Sequence, residues 1–181
     1  MQIDKQTGLI SAIKYHPSPN QDKRPDSDDI TGIVIHNISL PPGDFGGGWI
    51  DDLFLNKLDP KAHPYFENIA DVKVSAHLLI RRGGDVIQYV PFQQRAWHAG
   101  VSSWDGREKC NDFTIGIELE GCDDQSFEQE QYQQLANIIN ALCDTYPKLN
   151  HQHIKGHQDI APDRKTDPGP YFDWDKLRSL L

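Results

Sequence analysis

The sequence predicts a single α/β domain in which helices pack against a central, mostly mixed β-sheet. Three observations predict this fold class. Short apolar runs typical of buried strands recur along the chain, and one long segment with apolar residues at helical spacing lies between two of them. The length of 181 residues suits one hydrophobic core, which indicates a single domain spanning 1–181.

The first half of the chain predicts a lead-in, a strand, a helix and a hairpin. Residues 1–31 combine several prolines with a run of aspartates and predict an irregular lead-in. Residues 30–36 contain a continuous apolar run, which is typical of a central strand covered on both faces. A short amphipathic helix begins near Trp49, after a glycine-rich loop. Residues 74–80 and 86–90 are β-rich and flank two glycines, which predicts a hairpin.

The second half predicts two more strands and two helices. Residues 113–120 alternate between apolar side chains on one face and a glycine with two glutamates on the other, as in a strand. Residues 126–146 carry an apolar stripe at helical spacing behind a capping box of a serine and a glutamine. Residues 153–157 predict a short strand that leads into a polar loop, and Asp173 is expected to cap a final helix.

Composition argues against several classes of function. The formal net charge is −9, whereas nucleic-acid binders carry a basic surface, so no nucleic-acid partner is expected. The chain has three cysteines, an odd number, and no Cys-x-x-Cys motif, which argues against a disulfide framework or a thiolate zinc site. No apolar run reaches the ~18 residues that span a membrane, and no secretory signal is recognised. We therefore expect a cytoplasmic protein without a membrane partner.

The polar stretch from Lys155 to Pro170 is the strongest functional signal. It carries a histidine, several charged residues and three prolines, with little apolar surface to bury. Prolines reduce the entropy that is lost when such a loop becomes ordered. One hypothesis is that His157 and Asp167 bind a metal and that Lys165 faces the same site. The alternative is a charged surface loop in which the histidine occurs by chance.

A third ligand and a catalytic carboxylate are available elsewhere in the chain. His36 ends a predicted central strand, where ligands collect in sheet-based folds; the alternative is a hydrogen-bonded histidine at the edge of the core. Two imidazoles and one carboxylate would form a catalytic zinc set, because three protein ligands leave a fourth position open. Lys165 could stabilise an oxyanion. Either Glu118 or Glu120 could orient or deprotonate water, and their spacing does not separate them.

Two further histidines have competing interpretations. His77 lies inside a predicted strand and is expected to be packed and hydrogen-bonded rather than a ligand. Trp97 and His98 occur in a loop before a small residue and a glycine, where they either line a pocket or anchor the loop.

Several motifs together resemble one enzyme family. They are Val-Ile-His-Asn-Ile-Ser-Leu-Pro-Pro-Gly at 34–43, Val-Ser-Ala-His at 74–77, Arg-Ala-Trp-His-Ala-Gly at 95–100, Cys-Asn-Asp-Phe at 110–113, Ile-Gly-Ile-Glu-Leu-Glu-Gly at 115–121, and the stretch 156–170. The chain resembles the zinc-dependent N-acetylmuramoyl-L-alanine amidases, which include peptidoglycan-recognition proteins, from about residue 33 to residue 174. The resemblance implies one Zn²⁺ per chain held by His36, His157 and Asp167. It also implies Glu118, rather than Glu120, and Lys165 as the catalytic pair.

Within that family, the chain is most similar to cytoplasmic enzymes that act on 1,6-anhydro-muropeptides. The resemblance implies a monomer that hydrolyses the amide between the lactyl group of N-acetylmuramic acid and L-alanine, in small soluble fragments, for peptidoglycan recycling. Such fragments are anionic, so cations near the pocket are expected. The candidate substrate contacts are Asn37, Lys73, Trp97, Arg107 and Lys109. The alternatives are a phage-type lysin that acts on intact peptidoglycan and a muropeptide-binding module without activity.

Overall fold

A computed structural model describes all 181 residues. Its strands are β1 (Ile3–Asp4), β2 (Leu9–Ile10), β3 (Lys14–Tyr15), β4 (Gln21–Lys23), β5 (Gly32–Ile38), β6 (Leu78–Ile80), β7 (Val86–Gln88), β8 (Gln94–Ala96), β9 (Ser103–Trp104), β10 (Arg107–Glu108), β11 (Thr114–Glu120) and β12 (Ile154–Gly156). Its helices are α1 (Trp49–Phe54), α2 (Gln129–Thr145), α3 (His157–Ile160) and α4 (Trp174–Leu180). None of these helices combines the length and the apolar character needed to cross a membrane.

The predicted mixed sheet is confirmed, and six strands form it in the order β12-β5-β11-β6-β7-β3. The strands β6 and β7 make the predicted antiparallel hairpin, whereas the other neighbours pair in parallel. Parallel strands that are covered on both faces need continuous apolar sequence. In β5 this sequence is Ile33, Val34 and Ile35, all of which are fully buried. The strand therefore lies inside the sheet, as its sequence predicts.

The parallel pairing of β5 with β11 brings functional candidates into register. The two strands pair over seven residues, and His36 lies opposite Glu118. Along β11 the faces alternate as predicted: Ile115 and Ile117 pack in the main apolar core, whereas Gly116 and Glu118 face the other side. One face of the central strands thus packs in the apolar core, and the opposite face carries the candidate functional side chains.

Helices α2 and α1 cover opposite faces of the sheet. Leu135 and Ile139 of α2 pack with Ile117 in the larger core. Phe54 of α1 packs with Leu79 in a second core. Because α1 covers the face that carries Glu118, this helix and its flanking loops form a wall of the cavity described below.

The prediction of an irregular lead-in at 1–31 is wrong in part. Strand β3 extends the sheet beside β7, and β4 pairs with β8. Arg24, directly after β4, is 6% exposed, and burial lowers its pKa to about 10. Its guanidinium donates to the main-chain carbonyls of four residues, Phe92, Asn111, Asp112 and Thr114. These long-range bonds, which no local pattern reveals, tie the lead-in to the segment before β8 and to the residues at and just before the start of β11.

Two element boundaries also differ from the prediction. Helix α2 begins at Gln129, and its N-cap is Glu128, two residues after the predicted Ser126; the N–H of Glu128 donates to the side-chain oxygen of Gln131, at 3.0 Å. The last strand ends before His157, which instead begins α3. The side chain of Asp159 accepts a hydrogen bond of 2.7 Å from the main-chain N–H of Gly156, and this bond closes the first turn of α3. The predicted cap of the final helix by an aspartate is confirmed.

Candidate metal centre

Three side chains of metal-ligand type meet at the carboxyl edge of the sheet. His36 comes from β5, His157 from the first turn of α3, and Asp167 from the loop that follows α3. The Nδ1 atoms of the two histidines lie 3.0 Å apart. Oδ2 of Asp167 lies 2.9 Å from Nδ1 of His36 and 3.0 Å from Nδ1 of His157. The structure thus brings together, as one potential metal-binding group, the three residues that the sequence singles out.

The second ring nitrogen of each histidine indicates which atoms are free for a cation. Nε2 of His157 lies 3.1 Å from the main-chain oxygen of Ala99, and Nε2 of His36 lies 2.9 Å from Nδ1 of His98. A carbonyl oxygen only accepts, so Nε2 of His157 carries a hydrogen and its Nδ1 is the nitrogen that can bind a cation. With the same tautomer in His36, two nitrogen lone pairs and the Asp167 carboxylate would converge on a bound cation. Three acceptors in this arrangement favour a bound cation.

The donor set suits zinc. Tetrahedral zinc with bonds of ~2.0–2.1 Å places its ligand atoms roughly 3.3 Å apart, so small side-chain movements would admit the ion. Burial lowers the pKa of His36 to about 4, which keeps its ring neutral and able to bind metal at neutral pH. Burial alone would raise the pKa of Asp167, but the adjacent His157 and His36 outweigh burial and lower it. The carboxylate is therefore ionised.

Glu118 is the carboxylate that faces the same cavity. Its Oε2 atom is buried and has no hydrogen-bond partner, which is rare for a buried polar atom. Burial, reinforced by the charge of Asp167, raises the pKa of Glu118 well above its ordinary value. Glu120 instead accepts hydrogen bonds from Arg81, at 2.9 Å, and from two main-chain N–H groups. The geometry therefore separates the two glutamates that their spacing leaves equivalent.

The ligand cluster lines a cavity of about 630 Å³, which is the size of a small-molecule site. Lys165, Asn37 and Trp97 line the same cavity. The amide nitrogen of Asn37 donates to Asp123, at 2.7 Å, and to the main-chain oxygen of Pro168, at 3.0 Å, so its oxygen is the atom left for a ligand. An apolar wall completes the cavity and includes Leu40, Leu53, Phe54, Tyr65, Ile69 and Val72.

The three other cations predicted to contact substrate do not line this cavity, and their contact with substrate stays a prediction. Arg107 donates to Asp29, at 2.6 Å, and its guanidinium lies 3.8 Å from the ring centre of Phe113. Lys109 lines a separate cavity. Lys73 is exposed and lies between two lining residues without being one of them. Surface cations follow no periodicity that tells which cavity they face, so the sequence alone does not place these three side chains.

His77 and His98 lie behind the ligands. His77 is fully buried, accepts a 3.0 Å hydrogen bond from the N–H of Gly116 and stacks near Phe92, so it is packed and satisfied as predicted. Of the two interpretations for Trp97 and His98, pocket lining is the one that the structure supports. The contact of His98 with His36 was not predicted from the sequence. The glycine on the site-facing side of β11 was the available signal, because the His98 ring fills the space next to it.

Charged residues of the polar loop hold the loop in place. Arg164 donates to the main-chain oxygens of Ala99, at 2.6 Å, and Val101, at 2.7 Å. Because Ala99 also accepts from His157, one carbonyl ties the loop and a ligand together. The alternative of a merely solvated loop does not account for these bonds.

Comparison with known proteins finds one family. Residues 26–170 match the family model described as N-acetylmuramoyl-L-alanine amidase. The chain is 58% identical over 174 residues to 1,6-anhydro-N-acetylmuramyl-L-alanine amidase AmpD of Escherichia coli (strain K12), covering 96% of this chain and 94% of that protein. The crystal structure of a selenomethionine AmpD derivative is similar with a TM-score of 0.96 and 56% identity, covering 100% of this chain and 99% of that one. A complex of the E. coli amidase AmiD with the substrate anhydro-N-acetylmuramic acid-L-Ala-D-gamma-Glu-L-Lys gives a TM-score of 0.62 and 29% identity, over 95% of this chain and 60% of that chain.

Proposed function

This chain belongs to the N-acetylmuramoyl-L-alanine amidase family, and we propose that it hydrolyses the amide bond between the lactyl group of 1,6-anhydro-N-acetylmuramic acid and L-alanine. Its substrates are small soluble muropeptides, and its role is peptidoglycan recycling. One observation carries the proposal: three converging metal ligands share a cavity with Glu118, whose buried Oε2 has no partner. Similarity over nearly the whole chain to proteins named for this reaction supports it.

We expect one zinc ion per chain, held by His36, His157 and Asp167. When bound, zinc polarises an amide carbonyl and makes water more acidic near neutral pH. In this proposal, Glu118 takes a proton from the attacking water and passes it to the leaving L-alanine nitrogen. The Lys165 ammonium stabilises the negative charge that develops on the carbonyl oxygen. One water molecule is consumed, the C–N bond breaks, and a carboxylate and an amine are released.

The environment of Glu118 supports its double role. A carboxyl group whose pKa is raised holds a proton more readily than an ordinary glutamate, which suits a group that first accepts and then donates one. Its position opposite His36 in the parallel register keeps the carboxyl group next to the ligands on a rigid strand. A loop-borne carboxylate would lose more conformational entropy in reaching the same geometry.

The proposal is tested by offering zinc-loaded protein two substrates, anhydro-muropeptides and intact peptidoglycan. The expected result is release of peptide from the soluble fragments and no solubilisation of the intact wall. Glu118→Gln is the matched control, because it keeps the size of the side chain and removes its base. Lysis of intact peptidoglycan at a comparable rate would refute the recycling role and favour a phage-type lysin. Binding of fragments without peptide release would favour a muropeptide-binding module.

The cytoplasmic location and the monomeric state predicted from the sequence are part of this proposal. Cell fractionation with tagged protein tests the first, and light scattering coupled to gel filtration tests the second. A periplasmic location would conflict with imported fragments as substrates, and a stable dimer would refute the predicted oligomeric state.

A further inference from the structure

We propose that His98 is a positioning residue that, together with Thr114, fixes the tautomer and orientation of the His36 ring and so prepares Nδ1 of His36 for the metal. This inference rests on the proposed zinc site. It assigns a role to a residue that is not one of the three proposed ligands.

The first step is the contact between the two imidazoles. Nε2 of His36 lies 2.9 Å from Nδ1 of His98, and the two rings meet edge to face with centroids 5.0 Å apart. Because Nδ1 of His36 faces the other ligands, binding of a metal through Nδ1 requires the ring hydrogen to sit on Nε2. A ligand histidine whose other N–H is hydrogen-bonded has both a fixed tautomer and a fixed ring plane.

The second step is the direction of the hydrogen bonds beyond His98. The hydroxyl of Thr114 donates to the main-chain oxygen of Cys110, at 2.7 Å, so its oxygen is left to accept. Nε2 of His98 lies 3.3 Å from that oxygen and donates to it. The neutral His98 ring then has a bare Nδ1, which accepts the hydrogen from Nε2 of His36. All three hydrogen bonds point the same way and end on a carbonyl oxygen.

The third step is the fit of the His98 ring. A Cβ atom at Gly116 would lie 2.4 Å from Cγ of His98, so the absence of a side chain on β11 makes room for the ring. Oδ1 of Asn111 accepts from the main-chain N–H groups of His98, at 3.1 Å, and Ala99, at 2.7 Å. Ala99 in turn supplies the carbonyl that accepts from His157. Two neighbouring residues, held by one amide side chain, therefore orient both imidazole ligands.

The test compares His98→Asn with His98→Leu. The two replacements have similar size, but only asparagine keeps an acceptor near the position of Nδ1. Zinc affinity is measured by competition with a chelator, and the melting temperature of the zinc-free protein reports on folding. We expect His98→Leu to weaken zinc binding roughly 10- to 100-fold, as expected when a partner of a metal-binding histidine is lost. His98→Asn should stay within about threefold of wild type, because the hydrogen bond is kept.

Nitrogen NMR of histidine-labelled, zinc-free protein gives a readout that does not depend on activity or on metal. Wild-type His36 should show a hydrogen on Nε2, and His98→Leu should change the signal of that nitrogen. Thr114→Val, which removes only the hydroxyl acceptor, should shift the nitrogen signals of His98, and Thr114→Ser should restore them. This pair keeps the test decisive if His98 variants fold poorly.

Three results would overturn the proposal. They are unchanged zinc affinity in His98→Leu, equal losses in His98→Leu and His98→Asn, and a wild-type His36 that carries no hydrogen on Nε2 in the zinc-free protein. Failure of wild-type protein to bind zinc would instead refute the proposed function. The nitrogen spectrum of zinc-free protein separates these failures, because it tests the hydrogen-bond chain without the ion.

Discussion

Gly116→Ala should damage the proposed zinc site although Gly116 is not one of its three ligands. An ideal Cβ at this position lies 2.4 Å from Cγ, 2.6 Å from Nδ1 and 2.7 Å from Cδ2 of His98. The closest of these distances falls 1.0 Å short of the 3.4 Å at which ordinary contacts begin. The His98 ring must therefore move by about 1 Å. A shift of this size is enough to break its hydrogen bond with Nε2 of His36, in which the two nitrogen atoms lie 2.9 Å apart.

The expected cost has two parts, measured separately. Overpacking should lower the free energy of unfolding of the zinc-free protein by ~1–3 kcal/mol in denaturant titrations. Loss of the acceptor for His36 should weaken zinc binding by roughly tenfold or more in chelator competition. Gly83→Ala is the matched control, because an added Cβ there meets nothing within 4 Å and the backbone needs no positive φ. Its effect on stability should stay within about 0.5 kcal/mol.

A double-mutant cycle decides whether the clash is the cause. In a His98→Ala background the ring is absent, so the added methyl group has space and Gly116→Ala should cost almost nothing. The coupling energy should then equal the cost of the single variant, ~1–3 kcal/mol. Equal costs of Gly116→Ala in both backgrounds would refute the reasoning, because the methyl group would then be destabilising for some other reason.

Three further predictions concern catalysis, packing and pH. Glu118→Gln should reduce turnover by ~10²–10⁴-fold with zinc affinity unchanged in chelator competition; a variant that keeps more than a tenth of the activity would exclude Glu118 as the base. Arg24→Met should lower the free energy of unfolding by ~3–5 kcal/mol in denaturant titrations, because buried carbonyls lose a charged donor; a loss below about 1 kcal/mol would contradict this. Burial lowers the pKa values of His36, His77 and His98, so below pH ~6.5 the unfolded chain binds up to three more protons at these histidines than the folded chain does. The raised pKa of Glu118 lets the folded chain bind one proton that the unfolded chain does not, which leaves a net difference of up to two. The zinc-free protein should therefore lose up to ~2.7 kcal/mol of stability per pH unit between pH 6 and pH 5, and a flat profile would contradict the buried neutral histidines.

Local pattern predicted most of the sheet. The apolar run of β5 and the alternation of β11 are properties of consecutive residues, so the sequence shows both directly. The start of α2 was misplaced because Ser126 and Glu128 both fit a cap, and the choice depends on contacts with Gln131. Arg24 escaped prediction because its partners lie 68 to 90 residues further along the chain.

The candidate metal ligands could be predicted from residue type and local sequence, whereas contacts that depend on the fold could not. His157 and Asp167 stand out because they occur in a polar, proline-rich loop, and His36 because it lies near the end of a central strand. Arg107 could not be placed, because its partner Asp29 is distant in sequence and equally charged surface residues are common. Pocket lining was one of the two interpretations of His98. Its hydrogen bond to His36 could not be predicted, because it depends on how the chain folds between two residues that are 62 positions apart.

The separation of the ligands along the chain has a consequence for how the protein is made. His36 is 121 residues from His157 and 131 from Asp167, so an ion bound by all three closes a loop of about two-thirds of the polypeptide. A ribosome-bound chain cannot complete this site until Asp167 has emerged. Once closed, the ion acts as a reversible cross-link, and such links stabilise most when the enclosed loop is long. Limited zinc supply would then shorten the lifetime of the newly made protein as well as its activity, since chains without the cross-link open more often to proteases.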